Sequence, residues 1–389
     1  MSSNPFGPLA ELVFSDEAIA ASLASLREQD EFIACATAMA RARGVTFDAA
    51  ARDVPGADPV GVSRWSAPWL SGRTMPPRHW LPIHVATDAN GIAVDWAWFG
   101  PRPLAEPFFE DSIRRTLAPP FGRLFRYRTA LADLIAQTEA ERPRAPDGFI
   151  FHMSRCGSTL AAQMFAALPQ SVVISEAAPI DAAVQLARST GWTAMRALRA
   201  IVIALGRRRA GDERRYVIKL DSWHALALPL FRQAFPDVPW VFLYRDPVEV
   251  LVSQMRQRGT QMLPEFFPPR FWGIDAGAAV PNEDYCARVL AAICGAAADG
   301  AALGGGLMID YRDLPRAVSS VIAPHFGLEL TAGERAAMQA ASKRDAKAPS
   351  QDFAADSAGK RGEASEAVRR AAERHVASCY RRLGQLAAA

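Results

Sequence analysis

The sequence predicts an α/β protein in which a parallel sheet with helices on both faces follows a smaller α+β amino-terminal region. With 389 residues, the chain exceeds the size at which one hydrophobic core usually stops growing, so two domains are expected. Short apolar runs centred near residues 151, 174, 218, 243 and 308 alternate with longer segments of helical spacing. Such a pattern is typical of buried parallel strands connected by helices.

The amino-terminal region is expected to contain helices followed by a hairpin. Residues 15–53 have helical apolar spacing, with Ser15 or Asp16 as a cap and Gly44 as a break between two helices. Residues 80–99 contain two strand-like runs around the turn sequence DANG, which predicts a β-hairpin. No function is indicated for this region.

The domain boundary is predicted at the polar, proline-bearing stretch ERPRAPDG, residues 141–148. This divides the chain into an amino-terminal domain of residues 1–145 and a second domain of residues 146–389, for which the motifs below indicate a catalytic role. One or two helices are expected just before the boundary, within residues 108–140.

Composition excludes several classes of protein. The chain is half hydrophobic and 22% charged, which argues against disorder, and its net charge of +3 favours small anionic ligands over nucleic acid. Five scattered cysteines lack the paired spacing of a zinc site. The first residues show no basic stretch followed by an apolar one, and no uninterrupted apolar run reaches membrane-spanning length, so we expect a cytoplasmic protein without a membrane span.

The stretch FIFHMSRCGST, residues 149–159, predicts a P-loop-like anion site. A strand followed by a tight turn at Gly157 and a helix from Ser158 would direct unpaired N–H groups and a helix dipole at one point. Arg155 adds two parallel donors. The pattern ends with Ser158 and Thr159, so the lysine of ATP- and GTP-binding loops is missing.

Cys156 lies inside this loop and is included among the residues expected to bind the phosphate group. Its thiol could be acidified by the surrounding N–H groups. Alternatively, the loop simply requires a small side chain at this position, which is the interpretation we favour.

A second signal is VFLYRDPVEVLVSQMRQRG, residues 241–259. Asp246 is suited to cap a helix and Pro247 to occupy its first turn, which leaves Arg245 at a strand end. The helix then carries Ser253 about two turns from its start. An arginine and a hydroxyl in this arrangement can hold a further phosphate group.

Together the two stretches resemble the sulfotransferase superfamily, whose donor is 3′-phosphoadenosine 5′-phosphosulfate. In that family an R-x-G-[ST]-[ST] loop holds the 5′-phosphosulfate, which corresponds here to Arg155, Gly157, Ser158 and Thr159. The arginine of a YRDP-type strand end and a serine eight residues later hold the 3′-phosphate, which corresponds to Arg245 and Ser253. The resemblance covers about residues 148–385. Arginine in place of the loop lysine is similar to the tyrosylprotein and carbohydrate sulfotransferases.

The resemblance also implies catalytic roles. Glu176 corresponds in position to the carboxylate that serves as base in tyrosylprotein sulfotransferases, and Lys219 to the strand-end lysine that neutralises the transferring group. The alternative role for Glu176 is to cap the helix expected at residues 177–187. His224 is the rival base, because the phenol and steroid branch of the family uses a histidine after a similar strand. His152, inside the first strand, is expected to be a hydrogen-bonded core histidine.

Near the carboxyl end, residues 356–365 loosely resemble the basic-glycine segment with which the family closes over the 3′-phosphate, through Lys360, Arg361 and Gly362. Residues 342–354 are then expected to be a loop that becomes ordered when the donor binds. The arginines of residues 196–215 are expected to be solvated, with an acidic acceptor as their alternative partner.

The predicted function is sulfuryl transfer from this donor to a hydroxyl of a small molecule, sugar or peptide, without a metal. Asp221 and Asp310 could hold magnesium in principle, but solvated or capping roles are expected for both. The alternatives are a small-molecule kinase, disfavoured by the missing loop lysine, and a nucleotide-binding module that has lost catalysis. Neither the acceptor nor the oligomeric state is indicated.

Overall fold

The protein is described here by a computed structural model that covers residues 7–45, 70–72, 74–89, 91–141, 143–190, 192–275, 280–347 and 357–388. By its internal contacts the chain divides into two compact units. Unit 1 contains residues 1–144 and 177–213, and unit 2 contains residues 145–176 and 214–389. Residues 177–213, which the sequence prediction assigned to the catalytic domain, therefore group with the amino-terminal residues.

Nine strands are described in chain order. They are β1 (Leu70–Ser71), β2 (Trp80–Asp88), β3 (Gly91–Trp98), β4 (Tyr127–Ala130), β5 (Gly148–His152), β6 (Ser171–Ser175), β7 (Arg215–Lys219), β8 (Trp240–Tyr244) and β9 (Gly306–Asp310). The first four form one sheet in unit 1 and the other five form the sheet of unit 2.

The helices of the first half of the described chain are α1 (Gly7–Ser15), α2 (Glu17–Ala24), α3 (Gln29–Ala42), α4 (Phe109–Leu117), α5 (Pro120–Leu124), α6 (Leu131–Glu141), α7 (Ser158–Ala166), α8 (Ala178–Thr190) and α9 (Trp192–Leu205). Those of the second half are α10 (Leu228–Ala234), α11 (Pro247–Arg256), α12 (Asn282–Gly300), α13 (Ala323–His325), α14 (Ala332–Ala341), α15 (Ser357–Glu363), α16 (Glu366–Ala371) and α17 (Ala377–Ala388). Short helical turns, including Ser222–Ala227, connect several of them.

Unit 1 contains a four-stranded sheet in the order β1-β4-β3-β2. Strands β2 and β3 form the antiparallel hairpin expected at residues 80–99, with Trp80 opposite Trp98. Asp16 caps α2, because its carboxylate accepts the N–H groups of Ala18 and Ile19 at 3.0 and 3.1 Å.

Gly44, with φ of +68°, follows the end of α3, so a helix ends at the predicted position. A glycine in the left-handed region is a common helix terminator. A second break, between α2 and α3, was not predicted. Residues 46–53 lie outside the described chain.

Unit 2 contains a parallel five-stranded sheet in the order β6-β7-β5-β8-β9, flanked by helices. All five predicted strands are present, and the predicted α/β class is confirmed. Every residue of the central strands β5 and β8 is buried, which requires cover on both faces. Because the strands are parallel, the residues that follow β5, β6, β7, β8 and β9 meet at one edge of the sheet.

The longest helix of unit 2 is α12, and its buried residues include Val289, Leu290 and Ile293. It packs against α11 and α17. Together with the turn that follows it, residues 282–303, it is long and apolar enough to cross a membrane by length and composition alone, with a mean hydropathy of 1.5. Half of the apolar 18-residue stretch within these residues is buried inside the fold, as in a core helix.

Candidate active site

The loop between β5 and α7 has the backbone of an anion site. Ser154, Arg155 and Gly157 have φ of +81°, +53° and +83°, a conformation that is uncommon for residues other than glycine. Such a backbone curls successive N–H groups toward one point, immediately before the first turn of α7. A Cβ on Gly157 would lie 2.7 Å from Leu314 and 3.1 Å from Tyr311, so any larger residue would also require the Leu314 side chain to shift.

Buried polar side chains hold the loop in this conformation. His152 Nδ1 accepts the N–H of Ser154 at 3.1 Å, and Nε2 lies 2.9 Å from the Leu220 carbonyl, to which it can donate. Burial lowers the pKa of His152, in agreement with a neutral ring that uses both nitrogens. The Ser154 hydroxyl accepts amide N–H groups of Gln254 and Gln261 at 3.1 and 3.0 Å. The expected hydrogen-bonded histidine thus also shapes the loop.

Cys156 is completely buried, and its thiol donates to the Leu243 carbonyl at 3.1 Å. Burial raises the pKa of Cys156 to about 12, so the thiol is neutral. This speaks against the alternative of an acidified thiol, because desolvation outweighs the surrounding hydrogen-bond donors. A small buried side chain fits the position.

The structure brings the two predicted catalytic residues into direct contact. Lys219 at the end of β7 is only 1% exposed and donates from Nζ to the carboxylate of Glu176. The Glu176 N–H donates to the Lys219 carbonyl at 2.8 Å, and Glu176 has φ of +51°. This unusual backbone holds the carboxylate at the strand edge, with the side chain 26% exposed.

Charge controls the protonation of Glu176. Burial alone would raise its pKa, but the Lys219 ammonium and a hydrogen bond from His152 outweigh burial and hold the pKa of Glu176 well below its usual value. The carboxylate is therefore ionised and paired in this state.

Two further cations interact with this pair through their charges. Arg155 is half-buried and donates to the Gln257 carbonyl at 2.9 Å. Desolvation and the charges of Arg155 and Lys219 lower the pKa of Lys347, which lies beyond α14. The positive charges of Arg155, Lys219 and Lys347 thus outnumber the one negative charge of Glu176.

His224, the rival base, is fully buried on the turn after β7. Its Nδ1 accepts the Asp221 N–H at 3.3 Å, and the Asp221 carboxylate accepts the His224 N–H, which forms a reciprocal cap. Asp310 likewise caps the turn after β9 and pairs with Arg312 at 2.8 Å. Both aspartates have the capping roles expected from the sequence.

A second cluster surrounds the start of α11. Arg245 Nε donates to one oxygen of Glu249 at 2.7 Å, and Arg361 Nε donates to the other at 2.7 Å. The Arg245 guanidinium also stacks on Tyr311 at 3.9 Å and lies 3.5 Å from the Arg155 carbonyl. Two predicted 3′-phosphate residues are thereby joined to the phosphate loop.

A cavity of about 590 Å³ opens beside this cluster. Within the described chain, Arg245 and Arg361 line it, whereas Ser253, Lys360 and Gly362 do not. Ser253 is half-buried one turn beyond Glu249, Lys360 is buried, and Gly362 is exposed on α15. The segment predicted as a basic-glycine loop is therefore helical at residues 357–363 and contributes mainly Arg361. The expected loop at 342–354 lies partly outside the described residues.

Of the arginines of residues 196–215, Arg208 and Arg214 are exposed, as the sequence predicts, whereas Arg209 is buried. In unit 1, Arg209 is buried and donates to the Gly100 and Arg102 carbonyls at 2.7 and 2.6 Å. Arg207 donates to the Pro76 carbonyl at 2.8 Å. Burial lowers the pKa of both arginines to about 10. Their donors bind the fold itself, which speaks against a role in binding an acidic acceptor.

Several site residues were missed by the sequence reasoning. Glu249 follows Arg245 by four positions on one helix, a spacing that could have revealed the pair. Tyr311 follows a predicted strand and so lies at the same edge. Gln254, Gln261 and Lys347 carry no local signal, because only tertiary structure brings them to the loop.

No protein-family profile matches the chain, and no curated protein matches it. Among solved structures, the chain is similar to a sulfotransferase domain from the curacin biosynthetic pathway, with 14% identity over 60% of this chain and 98% of that one and a TM-score of 0.37. It is also similar to sulfotransferase STF9 from Mycobacterium avium, with 12% identity, coverage of 63% and 81%, and a TM-score of 0.38. A third similar structure is sulfotransferase STF1 from Mycobacterium tuberculosis, with 16% identity over 68% of this chain and 84% of that one and a TM-score of 0.36.

Proposed function

We propose that this protein is a sulfotransferase that moves a sulfuryl group from 3′-phosphoadenosine 5′-phosphosulfate to a hydroxyl acceptor. The observation that carries the proposal is the contact between two separate anion sites. The strained loop of Ser154 to Gly157 lies beside a cavity lined by Arg245 and Arg361. A donor with phosphate groups on both its 5′ and 3′ positions can satisfy both sites, whereas ATP can satisfy one.

The residues fit such a donor in detail. The N–H groups of the loop and first turn of α7, together with Arg155, would hold the 5′-phosphosulfate. Arg245 and Arg361 would hold the 3′-phosphate, since both guanidinium groups line the cavity beside the loop. Tyr311 orients the Arg245 guanidinium by stacking. The donor is therefore bound at both ends by preorganised groups.

The reaction we propose is a single in-line displacement. The acceptor oxygen forms a bond to sulfur as the bond from sulfur to the bridging phosphate oxygen breaks, which releases 3′-phosphoadenosine 5′-phosphate. Glu176 takes the proton of the acceptor hydroxyl, and Lys219 neutralises charge that develops on the transferring group. Positioning and charge neutralisation supply most of the rate enhancement.

The ion pair of Glu176 and Lys219 gives donor binding a further role. In the described state Lys219 neutralises Glu176, which makes the carboxylate a poor base. A phosphosulfate beside Lys219 would compete for the ammonium, so the pKa of Glu176 would rise toward its usual value. The base would then become more effective once the donor is bound.

Within this proposal, the arginine of the phosphate loop favours the loop type of the tyrosylprotein and carbohydrate sulfotransferases. We also propose that the enzyme acts in the cytoplasm.

The decisive experiment is incubation of purified protein with sulfur-labelled donor, a mixture of hydroxyl acceptors and a metal chelator. We expect labelled product and release of 3′-phosphoadenosine 5′-phosphate. Phosphate transfer from ATP that requires magnesium would instead identify a kinase.

A further inference from the structure

Two cysteines of unit 2 lie side by side where α12 packs against α17. Cys294 on α12 is completely buried, whereas Cys379 on α17 is partly exposed. Val376 and Leu383 lie one helical turn before and after Cys379, and both are fully buried, so this side of the helix faces the fold. The proposed sulfuryl transfer uses neither thiol.

A polar contact one turn further along supports the pairing of the two cysteines. Arg382, one turn beyond Cys379, donates to the Ala298 carbonyl at 3.3 Å. Ala298 in turn lies one turn beyond Cys294. Arg382 also forms an ion pair with Asp299 at the end of α12. The two helices are therefore held together beside the cysteines, in a register that places one thiol against the other.

The two thiols are not equivalent. A hydrogen bond between them, which Cys294 donates, raises the pKa of Cys294 well above its usual value and lowers the pKa of Cys379. Burial raises the pKa of Cys294 further. Cys379 is thus the thiol that ionises more easily, and it is also the one that solvent reaches. Both properties favour its attack on an oxidant, because the thiolate is the reactive form of cysteine.

The other three cysteines differ from this pair. Cys156 and Cys286 are buried, and burial raises their pKa values to about 12 and about 11. Cys35 is partly exposed, as Cys379 is, but it belongs to unit 1. It therefore provides a reference thiol of similar exposure.

We propose that Cys294 and Cys379 are a redox-sensitive pair that hydrogen peroxide converts to a disulfide, which ties α17 to α12. The Cys379 thiolate first attacks the peroxide, which gives a sulfenic acid and hydroxide. The Cys294 thiol then attacks the sulfenic sulfur, so that the S–S bond forms and the hydroxyl group leaves with the thiol proton as water. In total, two thiols give two electrons and two protons to one peroxide, which becomes two molecules of water.

The packing of the helices favours closure of this bond. An S–S bond is about 2 Å long, and two sulfur atoms that share a hydrogen bond need only a small further approach. The bond would close a chain loop that contains β9 and the helices α13 to α16. Because a disulfide restricts the unfolded chain over the loop that it closes, the oxidised protein should be the more stable form.

The experiment treats the full, reduced chain with hydrogen peroxide and then labels the remaining thiols with iodoacetamide in denaturant. The chain has five cysteines, so the reduced protein should take up five labels and the oxidised protein three, because two cysteines are joined. Mass spectrometry of proteolytic peptides should find Cys294 joined to Cys379 within one chain. Dithiothreitol should restore all the labels. The Tm of the oxidised protein should be higher by roughly 5 °C.

Three variants test the pair. Cys379→Ser and Cys294→Ala should each abolish the disulfide and the rise in Tm. Cys35→Ser is the matched control and should leave both unchanged. In the reduced, folded protein, Cys294→Ala should also slow the labelling of Cys379 at least roughly threefold, because it removes the hydrogen bond that favours the thiolate. Two cysteines that merely fill space would not show this change in reactivity.

Three outcomes would overturn the proposal. They are uptake of five labels after peroxide treatment, a disulfide that joins two chains, and oxidation of Cys379 to a sulfinic acid without a bond to Cys294. None of these measurements involves the donor or an acceptor. The redox pair and the proposed sulfotransferase activity are therefore tested separately, and either can fail without the other.

Discussion

Two carboxylates at the same sheet edge, Glu176 and Glu249, have opposite surroundings. Glu249 is 2% exposed and lies between two guanidinium groups, which remain charged at every physiological pH. Glu176 is 26% exposed and shares one ammonium, on a flexible side chain that can turn to another anion. The difference fits our proposal that Glu249 is fixed in the structure and that Glu176 acts as the base.

The same distinction applies to the arginines. Arg209 in unit 1 donates to backbone carbonyls and so connects segments of the fold. Arg245 in unit 2 binds a carboxylate through Nε and lines a cavity. Burial alone does not distinguish structural from ligand-binding arginines, but the type of acceptor and the presence of a cavity do.

The largest expected effect is that of Glu176→Gln. The change keeps the shape of the side chain but removes the basic oxygen, so turnover should fall by roughly 10²–10⁴. Calorimetry should show that affinity for the donor product falls by no more than about twofold.

Glu249→Gln is the matched control for this comparison. It leaves two arginines without their counter-charge, so we expect a loss of roughly 1–3 kcal/mol in the free energy of unfolding. Turnover at saturating donor should stay within about threefold of wild type. Equal rate losses in the two variants would remove the proposed difference between the carboxylates.

Arg245→Ala should have the next largest effect. Loss of charge-assisted hydrogen bonds to the 3′-phosphate is expected to weaken binding of the donor product by roughly 1.5–3 kcal/mol. Circular dichroism should show an intact fold. If the variant binds the product as tightly as wild type, the assignment of the 3′-phosphate site is wrong.

A smaller effect is expected in the pH dependence of stability. The pKa of Glu176 lies below its usual value of 4.5, so the stability from its pair with Lys219 is present above about pH 4.5. That stability is lost as the pH falls further, through the folded-state pKa. The difference in free energy of unfolding between wild type and Glu176→Gln, from urea titrations, should therefore shrink below about pH 4.5. A difference that shrinks between pH 6 and 8 would contradict this protonation state.

The smallest effect on turnover is expected for His224→Ala. This histidine is buried in a cap with Asp221, so its loss should reduce stability by about 1 kcal/mol or more. Turnover per folded molecule, on the same acceptor as for Glu176→Gln, should remain within about threefold. A collapse of turnover in His224→Ala, with Glu176→Gln still active, would reverse the assignment of the base.

Local signals in the sequence predicted much of unit 2. The five strands are short apolar runs. The phosphate loop and the helix cap at Asp246 are each specified by about ten consecutive residues. Glu176 and Lys219 were identified separately through a family resemblance, but not as an ion pair. Their contact depends on β6 and β7 being neighbours, with Ser175 opposite Lys219, which no local pattern specifies.

Other features depend on residues far apart in sequence. Arg361 reaches Glu249 only because α15 packs against α11. The burial of Arg207 and Arg209 could not be predicted, because their partners are backbone carbonyls, which have no sequence signature. Patterns of residue type predict elements and motifs, whereas pairing between distant side chains requires the packed structure.

The central claim is that two adjacent phosphate sites select a 3′-phosphorylated nucleotide. Calorimetry without metal should show 3′-phosphoadenosine 5′-phosphate binding at least roughly tenfold more tightly than ATP, a difference of about 1.4 kcal/mol. Equal affinities for the two nucleotides, or tight binding of ATP that requires magnesium, would contradict the account.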